Sequence, residues 1–118
     1  MVGGISGSLS ALNAFQTKLD VTAENLSNIN TDGYKAKRVT MAADGLTGGV
    51  TATVDTDDRQ GPLTLKSAGG KEETVETSNV DLAGSMVDLI TAQRGMEANL
   101  AVVKTQDQVT GTLLDIKR

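Results

Sequence analysis

The chain has 118 residues, a formal net charge of −4, one Phe, one Tyr, and no Trp, Cys or His. Those absences exclude a disulfide framework, a Cys/His zinc site, a thiol nucleophile and a His-based triad, and two rings, Phe15 and Tyr34, cannot centre an aromatic core or stack nucleic-acid bases. The acidic balance argues against a polyanionic partner, while 28 Leu, Ile, Val and Phe residues are enough for a chain that folds on aliphatic contacts.

The amino terminus has neither the charged start and apolar core of a cleavable signal nor a run of about 20 apolar residues. The expectation is a chain that is soluble when made, resident in the cytoplasm or exported by a route that reads another feature. Gly3-Gly4-Ile5-Ser6-Gly7 has no preceding strand and reads as a flexible start rather than a phosphate-binding turn. From Ser8 to Asn30 there is no Gly or Pro. Ile5, just ahead of this stretch, and Leu9, Leu12, Phe15, Leu19, Thr22, Leu26 and Ile29 within it recur at steps of three and four, one narrow helical stripe suited to a coiled-coil seam. Asn30-Thr31-Asp32-Gly33 supplies the stop, so residues 1–33 form a first segment of helix and Asn-rich turn.

Residues 34–77 change character. Seven of the 13 glycines lie from Gly33 to Gly70, together with the single proline, Pro62. Val50-Thr51-Ala52-Thr53-Val54 and Leu63-Thr64-Leu65 alternate with period two, which predicts short strands in two hairpins or extended arms. Asp55-Thr56-Asp57-Asp58 begins like a calcium loop but continues with Arg59, Gln60 and, at the twelfth position, Lys66, so it reads as a solvated acidic turn. Gly69-Gly70-Lys71 lacks the first Gly and the hydroxyl of a phosphate loop. Paired carboxylates such as Glu72-Glu73 have no cleft to raise a pKa. No catalytic, cofactor-binding or metal-binding residues are assigned, and the chain reads as no enzyme, without a small-molecule substrate or nucleic-acid partner.

Residues 78–118 form a second helical segment. Ser78-Asn79-Val80-Asp81 fits a capping box with Ser78 at the N-cap. Met86, Leu89, Gln93, Met96, Leu100, Val103, Asp107, Thr110 and Leu114 then make a heptad seam with three polar members. Gly84, Ala92, Gly95 and Ala98 form a band of small residues that lets another helix approach closely. The expected fold is mainly α: two long terminal helices in an antiparallel coiled-coil-like hairpin, with a short β-rich or irregular insert between them. Two helices bury one seam each and leave other apolar faces wet, so partners are expected to complete the core.

The Asn-rich end of the first helix is more specific than capping requires. Asp20 to Lys35, with Ala23-Glu24-Asn25-Leu26-Ser27-Asn28 leading to Asn30-Thr31-Asp32-Gly33-Tyr34-Lys35, resembles the amino-terminal signature of the bacterial flagellar axial proteins, the rod and hook family. Independently, Ser78-Asn79-Val80 followed by Gln93-Arg94 and Ala98-Asn99 is similar to that family's carboxy-terminal motif. Gly95 and Met96 stand where the family usually has Ala and Tyr, and the short insert makes the chain most similar to a proximal basal-body rod protein. The resemblance implies a structural subunit of the periplasmic rod, exported through the flagellar type III apparatus without signal cleavage and packed with copies of itself and other axial proteins. Its terminal helices would be largely disordered in isolation. Leu9, Leu12, Phe15, Leu19, Leu26, Ile29, Leu89, Met96, Leu100, Val103 and Leu114 are the expected assembly seam. Asn25, Asn28, Asn30, Gly33, Tyr34, Ser78, Asn79, Arg94 and Asn99 are the expected turn or intersubunit contacts. The alternatives are a hook-associated or scaffold-type relative, and a two-helix binding module or export adaptor.

Overall fold

The computed structural model describes residues 2–46 and 48–117, with side chains from 6–46 and 48–116. The first helix, α1, spans Val2–Ser27. It takes in the glycines expected to be a flexible start, and Gly7 has a packing reason to be there: a Cβ at this position would stand 3.1 Å from the Gly48 carbonyl. Ile5, at the head of the expected stripe, lies outside the described side chains. The helix closes three residues earlier than the Gly-free stretch. The Asn28 amide is shared between the carbonyls of Glu24 and Asn25, and the Ile29 amide reaches Leu26, so the last turn tightens before Gly33 reverses the chain at φ +74°.

Four strands follow. β1 (Lys37–Ala43) pairs antiparallel with β2 (Val50–Thr56), from Lys37 opposite Thr56 to Ala43 opposite Val50. β3 (Leu63–Ala68) pairs antiparallel with β4 (Lys71–Glu76), from Leu63 opposite Glu76 to Ala68 opposite Lys71. Gly69 and Gly70 join the second pair with both φ angles positive, +60° and +83°. That conformation matches the twist of a two-residue hairpin and is accessible to Gly without steric cost. The second helix, α2, runs Leu82–Lys117, and its 36 residues make it about 54 Å long.

The fold class is therefore mixed, and the expectation of a mainly α chain is corrected. Between a 26-residue and a 36-residue helix lie two separate two-stranded antiparallel sheets, not an irregular excursion. The physical reason is that the insert closes its own ladders and docks one of them on α1. Ser10 Oγ donates to the Val50 carbonyl and accepts from the Val50 amide, both at 2.7 Å, which satisfies the backbone of β2 at its first residue. The N-cap of α2 also moves. Asp81 precedes the helix, and its carbonyl accepts the Ser85 amide at 2.9 Å, while Ser78 Oγ accepts the Val80 amide three residues upstream.

The two helices run antiparallel, with Phe15 over Gly95 and Lys18 beside Asp88. Their contact is made by small residues. Ala11, Ala14, Val21 and Ala92 are the buried apolar side chains, accompanied by Ser8, Thr22, Asn25, Ser78 and Ser85. A Cβ on Gly95 would lie 2.4 Å from the Phe15 ring, so the ring occupies the space that the missing side chain leaves. No large side chain is fully buried among the described residues, and the protein measures 81 × 24 × 18 Å. Such a shape cannot enclose its own apolar residues.

Candidate assembly site

Two features carry functional weight: a polar junction where both helices meet the insert, and an apolar face left open along the helices. At the junction Asn25 is buried within α1's last turns and makes three hydrogen bonds. Its Nδ2 donates to the Lys37 carbonyl at 2.7 Å, and its Oδ1 accepts the Lys37 amide at 2.9 Å and the Tyr34 hydroxyl at 3.0 Å. The amide group thus acts as one more strand residue alongside the start of β1. Asn79 does the same from the other side. Its Oδ1 accepts the Ala36 amide at 2.6 Å, and its Nδ2 donates to the carbonyls of Asp57 and Arg59 at 2.8 and 2.9 Å. Only a primary amide can donate and accept in one plane this way, which explains Asn at both positions.

Other groups tighten the same junction. Asn28 Nδ2 donates to the Glu24 carbonyl, and its Oδ1 accepts the Thr31 hydroxyl. The Gly33 amide donates to the Glu76 carbonyl at 2.8 Å, tying the turn to the end of β4. Burial, and then the neighbouring Glu24 carboxylate, raise the Tyr34 hydroxyl above its usual pKa, so it remains a donor. Glu76 pairs with Lys35 and accepts the Gly61 amide at 2.9 Å. Gly61 is buried, and a Cβ there would meet the Thr77 carbonyl at 2.2 Å, so no larger residue fits. Asp57, 13% exposed, holds the Arg59 guanidinium at 2.5 Å.

The Arg59 hydrogen bonds hold Asp57 at about 2, from an ordinary 3.8, and the Lys35 bond, then the Gly61 amide, lower Glu76 as well. Because both folded-state values are depressed, the stability they supply is present above the unfolded carboxylate range and disappears as pH falls through the folded values. The urea midpoint should therefore hold near neutrality and decline below about pH 4.5, flattening near pH 2. In Asp57→Asn the decline should be shallower, and an identical decline would show that Asp57 is not involved.

Asn25, Gly33, Tyr34 and Asn79 thus come together around the entry to β1, while Asn28 bonds Glu24 and Thr31 within the helix exit and Ser78 bonds Val80 ahead of α2. Asn30 is exposed. Arg94 and Asn99 lie elsewhere, on α2: Arg94 faces Glu97 at 3.4 Å, and Asn99 Nδ2 donates to the Gly95 carbonyl at 2.8 Å. Sequence patterns did not reveal the Lys35–Glu76 and Asp57–Arg59 pairs, Ser10 at the β2 edge, or Asp57's use as an Arg partner. Periodicity has no signal for polar contacts, whether across the fold, as Lys35–Glu76, or between near neighbours, as Asp57–Arg59. Among the described residues no group of three or more His, Cys, Asp or Glu side chains could hold a metal ion, and no helix is long and apolar enough to cross a membrane.

Of the expected seam residues, Phe15 is taken up in the contact between the helices, over Gly95, and the others vary in exposure. Leu12, Phe15, Leu19, Leu26, Ile29, Leu89, Met96 and Val103 are half-buried, while Leu9, Leu100 and Leu114 are 50%, 54% and 60% exposed. Leu19, Leu89, Gln93, Met96, Glu97 and Leu100 line an apolar groove of about 530 Å³ between the helices. Leu82, Met86, Val87, Ile90, Val109, Leu113 and Ile116 add further exposed aliphatic surface along α2. Intrachain packing uses small and polar residues together with Phe15 and Val21, and the large aliphatic side chains along α2 are mostly left exposed.

A slender two-helix protein with a rigid polar junction and an unfilled apolar face has the build of an assembly subunit, and the comparisons with known proteins agree. Residues 8–35 match the family described as "Flagella basal body rod protein", and residues 71–116 match "Flagellar basal body rod FlgEFG protein C-terminal". The flagellar basal-body rod protein FlgC of Escherichia coli O6:H1 is 34% identical over 110 residues, covering 81% of this chain and 82% of that protein. FlgG of Bacillus subtilis is 34% identical over 96 residues, 75% of this chain and 36% of that rod protein. The flagellar hook protein FlgE of Helicobacter pylori is 50% identical over 44 residues, 37% of this chain but 6% of the hook protein. The chain thus spans a small part of the hook proteins and most of FlgC. It belongs to the flagellar basal-body rod protein family.

Proposed function

We propose that the chain is a structural subunit of the flagellar basal-body rod, with no enzymatic role, that assembles through its terminal helices into the axial torque-transmitting tube. The observation that carries this reading is the run of large aliphatic side chains that α2 leaves exposed, Met86, Val87, Ile90, Leu100, Leu113 and Leu114 among them, with Leu9 on α1, while Ala11, Ala14 and Ala92 are the side chains buried between the helices. Such surface on a monomer is costly in water and marks a macromolecular contact. Similarity to FlgC over most of that protein's length supports the rod in particular.

In this reading residues 1–33 and 78–118 form the assembling ends, and residues 34–77 face outward or touch the next layer. Leu9, Leu12, Phe15, Leu19, Leu26, Ile29, Leu89, Met96, Leu100, Val103 and Leu114 form contacts with copies of the chain and with other axial proteins. The family resemblance supplies the route: export through the type III apparatus without a cleaved signal, and assembly in the periplasm. Purified basal bodies test it. The chain should be a stoichiometric component of the rod fraction, and its absence from intact rods would favour an export adaptor or binding module.

A further inference from the structure

We propose that the Asp44-Gly45 peptide is a site of spontaneous covalent modification, where aspartate isomerises to isoaspartate through a cyclic imide. The chain has two Asp-Gly peptides, Asp32-Gly33 and Asp44-Gly45. In such a pair the glycine nitrogen can attack the aspartate side-chain carboxyl carbon, because glycine has no side chain to obstruct the approach. The new C–N bond closes a succinimide, and the carboxyl hydroxyl leaves with the amide proton as one water. Hydrolysis at the backbone carbonyl returns that water and routes the chain through the side-chain carbonyl. The product has the same composition and one extra methylene in its main chain, and water is the only co-reactant.

The fold treats the two peptides differently. At the first, the Lys66 ammonium holds the Asp32 carboxylate at 2.5 Å, and the Gly33 amide is donated to the Glu76 carbonyl at 2.8 Å. Both reacting groups are engaged elsewhere. At the second, Asp44 Oδ1 accepts the Leu46 amide at 2.9 Å, a bond two residues onward that folds the carboxyl group forward over the Gly45 nitrogen. Among the described residues the Gly45 amide has no acceptor, and the space where a Cβ would stand is open. Leu46 is 98% exposed, so water reaches the imide. Exposure of the aspartates alone would rank the sites the other way, since Asp32 is exposed and Asp44 half-buried. The consequence falls on the seat of the insert against α1. The Asp44 amide donates to the Gly49 carbonyl at 2.7 Å and its carbonyl accepts the Gly48 amide at 2.9 Å, which closes the loop just ahead of the Ser10–Val50 contact. Isomerisation turns that carbonyl into a carboxylate and lengthens the loop by a methylene, so the closure loosens.

The full chain is incubated for weeks at near-neutral pH and then digested with trypsin, which puts the two sites on different peptides because Lys35, Lys37 and Arg38 lie between them. Isoaspartate is counted by methyl transfer from S-adenosylmethionine with an isoaspartyl methyltransferase, and located by electron-transfer fragmentation in a mass spectrometer. It should accumulate several-fold faster at residue 44 than at residue 32, and the two rates should converge when the chain is unfolded in urea. Gly45→Ala should bring residue 44 down to background with an unchanged circular dichroism spectrum, since a Cβ there meets nothing within 4 Å and the Gly45 φ is not positive. Equal rates in the folded chain, faster reaction at Asp32, no isoaspartate at residue 44, or a difference that persists in urea would overturn the proposal.

Discussion

Replacing Leu100 by Asp should abolish assembly while leaving the dilute chain as helical as the unsubstituted one. Leu100 is 54% exposed within the protomer and lines the inter-helix groove, so a carboxylate there remains hydrated before assembly. Once a neighbour covers that face, the charge is buried without a partner. The penalty is on the order of 3 kcal/mol at each contact, more than a hundredfold in affinity, and it recurs at every subunit of an assembly. The readouts are rod formation and motility in cells carrying the variant, with circular dichroism of the purified chain as the folding control. Normal rods and normal motility would show that this face is not an assembly contact. Loss of the monomer's helicity would show that Leu100 acts within the chain.

Asn25→Ala should produce the reverse pattern, a destabilised chain with its apolar face unaltered. The substitution removes three hydrogen bonds at once and leaves the Lys37 amide and carbonyl without their partner beside a half-buried Tyr34 hydroxyl. A buried donor or acceptor left unpaired costs about 1–3 kcal/mol, and water can recover part of that at the sheet edge, so a loss of about 2–4 kcal/mol is expected. Urea unfolding measures it. Asn25→Asp should be nearly as damaging, because a carboxylate cannot donate to the Lys37 carbonyl. A loss below about 0.5 kcal/mol in both variants would mean that the junction does not hold the helix to the insert.

The two helices were legible because their apolar residues recur at helical spacing and turn residues bound them. The strands were legible only in part. Val50–Val54 and Leu63–Leu65 alternate visibly, but β4, Lys71–Glu76, carries Lys71, Glu72 and Glu73 and is exposed over its first four residues, so no burial imposes alternation on it. The mainly α expectation failed there, since a hairpin wet on both faces hides its pattern. The stripe in α1 was also visible, but what it faces was not. Periodicity marks an apolar face without saying whether the partner is the same chain. Phe15 of that stripe packs on Gly95 of α2 and Thr22 is buried, whereas Leu9 remains exposed, so one stripe serves the chain's own contact and solvent alike.

The junction shows a different limit. Asn25 and Asn79 stood out as parts of unusually specific strings, yet their shared task depends on residues that are near only in space. Asn25 bonds Lys37 twelve positions away, and Asn79 bonds Ala36 forty-three positions away. No local propensity encodes such a pairing. Gly61 is similar: its need to be Gly comes from the Thr77 carbonyl, sixteen residues later in the chain.

As a rod subunit, the chain would arrive with a finished polar junction and an unfinished apolar core, which neighbours complete. Amide hydrogen exchange, compared between dilute chain and assembled rods, tests this most directly. In the dilute chain the amides of Gly33, Ala36 and Lys37, each hydrogen-bonded in the junction, should already be protected, while those of α2 from about Leu100 onward should exchange rapidly through fraying of an unpartnered helix. Assembly should slow the α2 amides by orders of magnitude and change the junction little. Strong, concentration-independent protection along the whole of α2 in the dilute chain would contradict the account.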